Sequence, residues 1–424
     1  MIYLKFTRFA DIAILITNLA GGGAERAAVN LAKGFVKQGL KVNFILLRKE
    51  GIFLNYLPNE VNTISLDTSK DLLYRFWLQR VIYFLFQRQL KSIHLDLLLK
   101  LNILQKKLGF YQNISTMQIQ WNIWALRLAD YLKENPCRAF LAILPYPNIV
   151  ALKARQMVHI PFKLAICEQT TPSFTLQKMS QGNLIKQWMK KLYPKADIII
   201  AISYGVAKDL INNFNLPSDK IKVIYNPVVT PEIQKMAIKE VEHPWFKPDQ
   251  PPVILGAGRL VPAKDFPTLL HAFYLVRQVR RVRLVILGEG KERPRLEQLV
   301  HQLGIQDDVL MPGFVDNPFA YMAKASVFVL SSAWEGLSNV LIEALACGCP
   351  VVSTDCQSGP REILDNGRYG RLVPVGNFEA MARAILETLD DPNKPADKEA
   401  RIQRAMEFSV DKAVNQYLEV LGLN

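Results

Sequence analysis

The segment SSAWEGLSNVLIEALACGCP carries two carboxylates, Glu335 and Glu343, with seven residues between them. It follows a predicted strand, so Glu335 falls in a turn and Glu343 on the helix after it. We expect Gly336, Leu337 and Ser338 to begin that helix with free N–H groups, which suit a phosphate. A carboxylate accepts protons from hydroxyl groups, so the segment suits a sugar joined to a diphosphate.

The alternative for Glu343 alone is an ordinary glutamate on a helix surface. At the start of the same helix, Ser338 and Asn339 are of the types that cap helices with their side chains.

The segment GAGRLVPAKDF supplies two cations, Arg259 and Lys264, directly after another predicted strand. Arginine binds two oxygens at once and lysine acts as a point charge, so the pair suits a diphosphate. The dinucleotide-binding pattern fails here because Val261 takes the third glycine position. A solvated loop is the alternative, but it does not explain two cations in an acid-leaning half of the chain.

The segment NLAGGGAER follows the first predicted strand and opens the first helix. Glycine has no Cβ, so the backbone at Gly22 and Gly23 can approach a ligand closely. G-x-G-x-x-G is absent, because the glycines are followed by Ala24, Glu25 and Arg26, and a Walker A loop is absent, because no Gly-Lys-Ser or Gly-Lys-Thr sequence follows. The alternative is a tight turn between strand and helix.

Together these motifs resemble the retaining glycosyltransferases of family GT4, which have the GT-B fold. The resemblance continues through LGEGKERPRLEQL, GFVDNPFAYMAKASVFVLSS, SGPREIL and GRLVPVGN. It covers nearly all of residues 11–424 apart from 71–110, and the joint occurrence of these motifs in this order is highly specific.

The resemblance implies a catalytic role for three residues. Arg259 and Lys264 would neutralise the diphosphate of a nucleotide-sugar as it leaves, and Glu335 would contact the hydroxyls of the donor sugar near the reacting carbon. No metal ion and no other cofactor is implied, because these cations and the helix N-termini stabilise the leaving group.

Further residues are implied to hold the donor. Backbone groups border the diphosphate and the sugar, Glu343 binds the ribose hydroxyls, and a turn borders the base. These residues are Gly22, Gly23, Gly313, Phe314, Val315, Gly336, Leu337, Ser338 and Glu343.

One position departs from the family pattern. Many relatives place a histidine at a strand end of the first domain, near the reacting carbon, where this chain has LPYPN at residues 144–148. Asn148 and the strand-end Glu168 are the candidate sugar or acceptor contacts in its place.

Apolar strands alternate with amphipathic helices in two series, which predicts an α/β fold with two Rossmann-like domains, whose parallel sheets face each other across a cleft. The proline-rich stretch 227–252 separates the series. We therefore predict an N-terminal acceptor domain over residues 1–230 and a C-terminal nucleotide-sugar donor domain over 231–424. The last helix is expected to pack back toward the first domain.

The positive charge is unevenly distributed. The chain has 52 Lys and Arg against 38 Asp and Glu; residues 1–230 carry a net charge of +17 and the remainder −3. The segment 71–110 is apolar, basic and rich in aromatic residues, which is typical of a helix lying on an anionic membrane. The alternative is a pair of core helices with a solvated basic face.

The cysteine content and the lengths of the apolar runs indicate the cellular compartment of the protein. The 5 cysteines are too few and too scattered for a disulfide framework and fit a reducing compartment. No apolar run reaches the length of a membrane span, and Arg8 and Asp11 argue against a cleaved signal peptide. We expect a cytoplasmic protein that is peripheral at the inner face of the cytoplasmic membrane.

The leading interpretation is a retaining transferase that moves a sugar, expected to be UDP-linked, onto a glycan or lipid-linked acceptor in polysaccharide or glycoconjugate synthesis. A sugar-nucleotide epimerase or an inverting transferase is one alternative, against which the two glutamates argue. A non-catalytic scaffold that binds membranes or partners is another. Nucleic-acid binding ranks last because no recognised motif accompanies the basic half.

Overall fold

The structure is a computed structural model that describes residues 9–67 and 116–424. The predicted basic segment 71–110 lies outside the described residues.

The first sheet has seven strands in the order β3-β2-β1-β4-β5-β6-β7. The pairs β1–β2, β1–β4, β2–β3 and β6–β7 are parallel. The strands are β1 (Ala10–Ile16), β2 (Val42–Leu46), β3 (Asn62–Ser65), β4 (Cys137–Ile143), β5 (Lys163–Glu168), β6 (Ile198–Ala201) and β7 (Ile221–Val223).

The second sheet has six strands in the order β10-β9-β8-β11-β12-β13, and each neighbouring pair is parallel. The strands are β8 (Val253–Ala257), β9 (Arg283–Leu287), β10 (Val309–Gly313), β11 (Val327–Leu330), β12 (Val351–Thr354) and β13 (Arg371–Val373).

Helices connect these strands, as parallel pairing requires. In the earlier part of the chain they are α1 (Gly23–Lys37), α2 (Thr116–Glu134), α3 (Pro145–Arg155), α4 (Pro172–Gln177), α5 (Gly182–Leu192), α6 (Tyr204–Phe214) and α7 (Pro231–Ala237). In the later part they are α8 (Phe266–Val279), α9 (Arg293–Gln302), α10 (Pro318–Lys324), α11 (Asn339–Ala346), α12 (Pro360–Ile363), α13 (Phe378–Asp390), α14 (Lys398–Ala405) and α15 (Val410–Leu421).

Each sheet has a point where the direction of strand addition reverses. In the first sheet β1 lies between β2 and β4, and in the second sheet β8 lies between β9 and β11. Ligands of open α/β sheets bind beyond the carboxyl ends of the strands at such a point. The loops after β1, β4, β8 and β11 are therefore the expected ligand-binding loops of this fold.

The central strands form the cores because most of their residues are apolar. β2, β8 and β11 are fully buried, as expected for parallel strands that are covered on both faces. In the second sheet, side chains of α8, α9 and α13 pack against the strands in one cluster that includes Phe273, Leu296 and Ile385.

Two short edge strands were not predicted, because neither contains an apolar run. β3 reads NTIS and β13 spans three residues, Arg371–Val373. Pairing with a neighbour creates these strands, β3 beside β2 and β13 beside β12. The Asn62 Nδ2 of β3 also donates to Asn43 Oδ1 of β2 over 3.2 Å.

Cα distances divide the described residues into two compact units. The first contains the residues up to Ile166 together with Lys191–Asp197 and Leu423, and the second contains Cys167–Lys190, Ile198–Gly422 and Asn424. The predicted domain boundary near residue 230 stays a prediction. Across residues 9–67 and 116–424, none of the helices has the length and apolarity needed to span a bilayer.

Candidate functional site

Lys264 and Glu335 meet beside the reversal point of the second sheet. Lys264 ends a short helical turn after β8, and Glu335 follows β11. The Lys264 Nζ donates to Glu335 Oε1 over 2.5 Å, and the two side chains are only 17% and 12% exposed. The sequence predicted a role for both residues, and the structure brings their charged groups into direct contact.

Two further hydrogen bonds join the loops after β8 and β11, and a third lies within the loop after β11. Ser332 Oγ donates to Glu335 Oε1 over 2.7 Å, Ser331 Oγ donates to the Lys264 carbonyl over 2.7 Å, and the Ala333 N–H donates to the Ala263 carbonyl over 2.8 Å. Both hydrogen bonds to the Glu335 carboxylate fall on Oε1. Within the described residues Oε2 accepts none, so it is available to a hydroxyl of a ligand.

Arg259 stands in the same loop as Lys264 but is differently placed. Its side chain is exposed and makes no hydrogen bond or ion pair to the part of the chain that the structure describes. An arginine in this position can turn toward a phosphate without breaking an existing pair.

The segment Gly336–Ser338 lies before the helix rather than in it. The helix α11 begins at Asn339, and Ser338 is its N-cap residue with no hydrogen bond from its side chain to the first turn. Residues 336–338 therefore lead into the helix instead of forming its first turn, and Ser338 holds the predicted capping position without making the side-chain bond. Ser338 is 1% exposed, and its buried Oγ finds no partner among the described residues.

Glu343 lies on α11, the helix that follows this segment, and is only 4% exposed. An ordinary surface glutamate of a helix would be solvated, so the structure removes that alternative. A buried carboxylate on this helix remains compatible with the predicted contact to ribose hydroxyls.

The predicted base-binding turn lies at the end of β10. Gly313 has φ +89°, a conformation that glycine adopts readily, and a Cβ there would lie 2.8 Å from Glu289 Oε1. Arg293 donates to both oxygens of Glu289, over 2.9 and 2.6 Å, which holds the pKa of Glu289 below its ordinary value. The next residue, Phe314, is 54% exposed, and Val315 is half-buried. This leaves an aromatic face available to a planar ligand.

The glycines of the first sheet stand where the sequence predicted them, after β1. Gly22 is the N-cap residue of α1 and Gly23 is the first residue of that helix. The Gly22 carbonyl accepts the Arg26 N–H over 3.1 Å, and Glu25 lies in the first turn. The structure places this helix start beside the reversal point of the first sheet.

The loop after β4 holds the candidate Asn148 in a buried position. Asn148 is 0% exposed, and its Nδ2 donates to the Tyr193 hydroxyl over 3.2 Å. Leu144, at the end of β4, has φ +84°, which is strained for a side chain with a Cβ. This strained residue begins the LPYPN stretch, where the family pattern has its histidine.

Glu168, the other candidate in place of that histidine, ends β5 and is also 0% exposed. It begins a polar stretch in the second unit that the sequence did not identify. There a chain of buried side-chain contacts runs from the last helix to α11. Its members are Tyr417, Cys167, Gln169, Asn226 and Asn339, with consecutive contacts of 3.6, 3.2, 3.0 and 3.1 Å.

Three buried hydroxyls next to Glu335 were also missed. Thr171 Oγ1 lies 2.7 Å from the Glu335 carbonyl and 3.0 Å from Ser358 Oγ, and Ser203 Oγ donates to the Gly336 carbonyl over 2.8 Å. Each hydroxyl belongs to a loop after the carboxyl end of a parallel strand. That shared position is the signal that could have found all three, and Ser358 also begins the motif SGPREIL.

The site contains no metal-binding cluster among the residues that the structure describes, 9–67 and 116–424: no three His, Cys, Asp or Glu side chains form such a group there. The C-x-C pair at Cys347 and Cys349 is buried. Burial also raises the pKa of Cys356, near Glu335 and Lys264, to about 12, so its thiol is neutral at physiological pH.

Family models match both halves of the chain. The model "Glycosyl transferases group 1" matches residues 238–405, and "Glycosyltransferase Family 4" matches residues 121–231.

Two curated bacterial proteins are similar over most of their length. One is the Campylobacter jejuni N-acetylgalactosamine-N,N'-diacetylbacillosaminyl-diphospho-undecaprenol 4-alpha-N-acetylgalactosaminyltransferase, 37% identical over 277 residues, which cover 65% of this chain and 73% of the relative. The other is the lipopolysaccharide 1,6-galactosyltransferase of Salmonella typhimurium, 32% identical over 65% of this chain and 72% of the relative. This chain therefore belongs to the family 4 glycosyltransferases, which confirms the resemblance.

Solved structures confirm the GT-B fold class. The sucrose-phosphate synthase of Thermosynechococcus elongatus matches with a TM-score of 0.74 at 18% identity, over 97% of this chain and 98% of that chain. Anabaena HepE, solved in complex with UDP and glucose, matches with a TM-score of 0.70 at 19% identity, over 97% and 99% of the two chains.

Gly336→Ala tests how tightly the segment before α11 is packed. An added Cβ would lie 2.5 Å from the Gln169 carbonyl oxygen and 2.8 Å from Thr170 Cα, and neither backbone atom can move away alone. We expect the free energy of unfolding in urea to fall by about 2–3 kcal/mol. In the control Gly22→Ala the new Cβ meets the end of the flexible Glu25 side chain, so the loss should stay below about 1 kcal/mol. Equal losses would contradict the steric argument.

Proposed function

We propose that this protein is a retaining glycosyltransferase that moves a hexose or N-acetylhexosamine from a UDP-linked donor to a glycan or lipid-linked acceptor. The observation that carries the proposal is the Lys264–Glu335 pair, with Glu335 Oε2 open to a hydroxyl and the peptide groups of residues 336–338 alongside. The loops after β8 and β11 bring together a cation, a carboxylate oxygen without a hydrogen bond to the described residues, and free amides. This combination suits a sugar diphosphate.

In the proposed reaction the bond between the anomeric carbon and the diphosphate oxygen breaks, and its electron pair stays on the diphosphate. The acceptor hydroxyl attacks from the same face, and its oxygen forms the new bond to the anomeric carbon. The proton of that hydroxyl passes to an oxygen of the departing diphosphate, so no side-chain base is required. Catalysis then consists of positioning and of stabilising the charge that develops on the leaving group.

Lys264 and Arg259 are the proposed stabilisers of that charge. A lysine has three N–H donors, so Lys264 can keep its bond to Glu335 and still donate to a phosphate oxygen. Arg259 makes no competing bond within the described chain and can close on the same diphosphate. Glu335 then orients the donor sugar through Oε2, and Glu343 holds the ribose hydroxyls.

The remaining donor contacts come from backbone groups. Amides of residues 336–338 and of the glycines at the start of α1 are proposed to face the sugar and the diphosphate, and the turn 313–315 to border the base. Because these groups and the two cations carry the charge, we propose turnover without a metal ion.

The acceptor class is proposed from the relatives. The Campylobacter protein is named for an acceptor on diphospho-undecaprenol and for an alpha linkage, and the Salmonella protein for lipopolysaccharide. A lipid-linked acceptor in polysaccharide or glycoconjugate synthesis would place this protein at the inner face of the cytoplasmic membrane. The choice of UDP is motivated by HepE, which shares the fold and has been solved with UDP-glucose.

A donor screen tests the proposed function. UDP-, GDP-, ADP- and dTDP-linked sugars are added separately, and the melting temperature is measured, because a ligand that binds the native state stabilises it by about 2.7 kcal/mol at one hundred times its Kd. We expect the largest rise with a UDP-sugar, and release of UDP when an undecaprenyl-diphosphate-linked sugar is added, unchanged by EDTA. Loss of turnover in EDTA with recovery in Mg²⁺ or Mn²⁺ would contradict the metal-independent proposal.

Arg259→Ala and Lys264→Ala test the stabilisation of the leaving group. Each substitution removes a charge whose contribution is greatest as the diphosphate departs, so we expect turnover to fall by at least ~10²-fold. Lys324→Ala, at an exposed lysine with no partner in the described chain, is the matched control and should leave turnover unchanged. A folded double variant with normal turnover would remove both cations from the mechanism.

Sedimentation with liposomes tests the proposed membrane location. The segment 71–110 carries seven Lys and Arg against two Asp, and each basic side chain near an anionic surface contributes about 1 kcal/mol. We expect binding to anionic vesicles, much weaker binding to neutral ones, and partial weakening by salt. The double charge reversal Arg80→Glu/Arg88→Glu should reduce sedimentation, whereas core helices with a solvated face predict no vesicle binding at all.

A further inference from the structure

The hydroxyls of Thr171 and Ser203 bind two consecutive carbonyl groups in the loop of Glu335. Thr171 Oγ1 lies 2.7 Å from the Glu335 carbonyl oxygen, and Ser203 Oγ donates to the Gly336 carbonyl oxygen over 2.8 Å. Both side chains are buried, with 1% and 0% of their surface exposed. These bonds are therefore shielded from competition with water.

Each of these hydroxyls is itself held by a second hydrogen bond. Ser358 Oγ lies 3.0 Å from Thr171 Oγ1 and can donate to it, which leaves the Thr171 proton for the Glu335 carbonyl. Ser203 Oγ accepts the Val206 N–H at the start of α6 over 3.1 Å while it donates to Gly336. With Ser358 as the donor to Thr171, both hydroxyl protons are directed at the carbonyl groups of the Glu335 loop.

Fixing a carbonyl also fixes the N–H on the other side of the same peptide bond. A peptide group is planar and trans, so its N–H points opposite to its C=O. The Glu335 carbonyl shares its plane with the Gly336 N–H, and the Gly336 carbonyl shares its plane with the Leu337 N–H. These are two of the amides that the proposed function assigns to the donor.

Close packing leaves the loop little freedom to find another orientation. A Cβ at Gly205 would lie 2.4 Å from Ser358 Oγ, and a Cβ at Gly359 would lie 3.0 Å from Leu337 Cα. With Gly336, three glycines therefore allow the segments around residues 170, 204, 336 and 358 to approach at backbone distance. Because the packed loop of Glu335 has few possible positions, the hydrogen bonds from Thr171 and Ser203 are enough to select one of them.

We propose that Thr171 and Ser203 are positioning residues for glycosyl transfer, which orient the Gly336 and Leu337 N–H groups toward the donor by holding the two adjoining carbonyls. The inference rests on the proposed function and deepens it. Neither residue touches the donor in this proposal, and both act through the loop that carries Glu335.

The test compares Thr171→Val, Thr171→Ser and Ser203→Ala with two neighbouring controls, Thr170→Val and Ser173→Ala. The control hydroxyls make no hydrogen bond in the described part of the chain. Turnover is followed as release of UDP from the UDP-sugar that raises the melting temperature most, with undecaprenyl-diphosphate-linked N-acetylhexosamine as acceptor. The melting temperature is measured for every variant with and without UDP.

We expect Thr171→Val and Ser203→Ala to lower kcat at least ~10-fold, because small misplacements of groups that stabilise a transition state are costly, while KM for the donor changes less than about threefold. Thr171→Ser keeps the hydroxyl and should stay within about threefold of wild type. Both controls should match wild type, and UDP should still raise the melting temperature of every variant.

Three results would overturn the positioning role. The first is a normal kcat in Thr171→Val and Ser203→Ala. The second is an equal loss in Thr171→Ser, which would assign the effect to packing. The third is loss of the response to UDP, which would mean that the site no longer forms. The activity of the wild-type protein distinguishes failure of the proposed function from failure of this inference. If the wild type releases no UDP, the proposed function fails and this inference fails with it. If the wild type and the variants are equally active, only the inference is refuted.

Discussion

The hydrogen-bonded ion pair between Lys264 and Glu335 joins the loop after β8 to the loop after β11, at the two strands where the order of the second sheet reverses. Its partners are mostly buried, and removing a charged pair from water costs about as much as the attraction returns. The pair is therefore better understood as a device that sets positions than as a source of stability. It occupies one carboxylate oxygen of Glu335 and leaves the other without a hydrogen bond to the described residues.

Parallel strands make this arrangement possible, since they deliver every following loop to the same edge of a sheet. The loops that meet around Glu335 contribute small side chains: serines and a threonine supply hydroxyls, and glycines remove Cβ atoms that would keep the backbones apart. Larger side chains at these positions would separate the loops by more than a hydrogen bond can span. The close approach of these loops therefore requires small residues at the strand ends.

The sequence predicted the features that depend on one segment at a time. The buried strands, the turn position of Glu335 and the cations after β8 are all local patterns of apolar residues, charge and glycine. It did not reveal β3 or β13, which exist only through pairing with a neighbour. It placed Ser338 and Asn339 at the start of α11, as the structure has them. It did not show that Thr171 and Ser203 bind the carbonyl groups of Glu335 and Gly336, because these bonds join segments far apart in the chain.

For the same reason, no sequence pattern indicated a role for the hydroxyls of Thr171 and Ser203, and the motif SGPREIL marked the segment of Ser358 without indicating a role for its hydroxyl. Serine and threonine are common in turns, and the role of each of these residues depends on a hydrogen-bond partner that is distant along the chain. The candidate Asn148 shows the converse case. Its position after a strand predicted contact with a ligand, which stays a prediction, and the structure adds a partner for Nδ2, the Tyr193 hydroxyl, that the sequence did not indicate.

The buried chain of contacts from Tyr417 to Asn339 has a practical consequence for anyone who shortens or tags this protein. The last helix, α15, supplies the Tyr417 hydroxyl to Cys167, and the contacts continue through Gln169 and Asn226 to the first residue of α11. Trimming that helix would remove no residue assigned to the donor, yet it would take away one end of a network that terminates beside Ser338. An inactive truncated version would then report a disturbed hydrogen-bond network rather than a missing catalytic group.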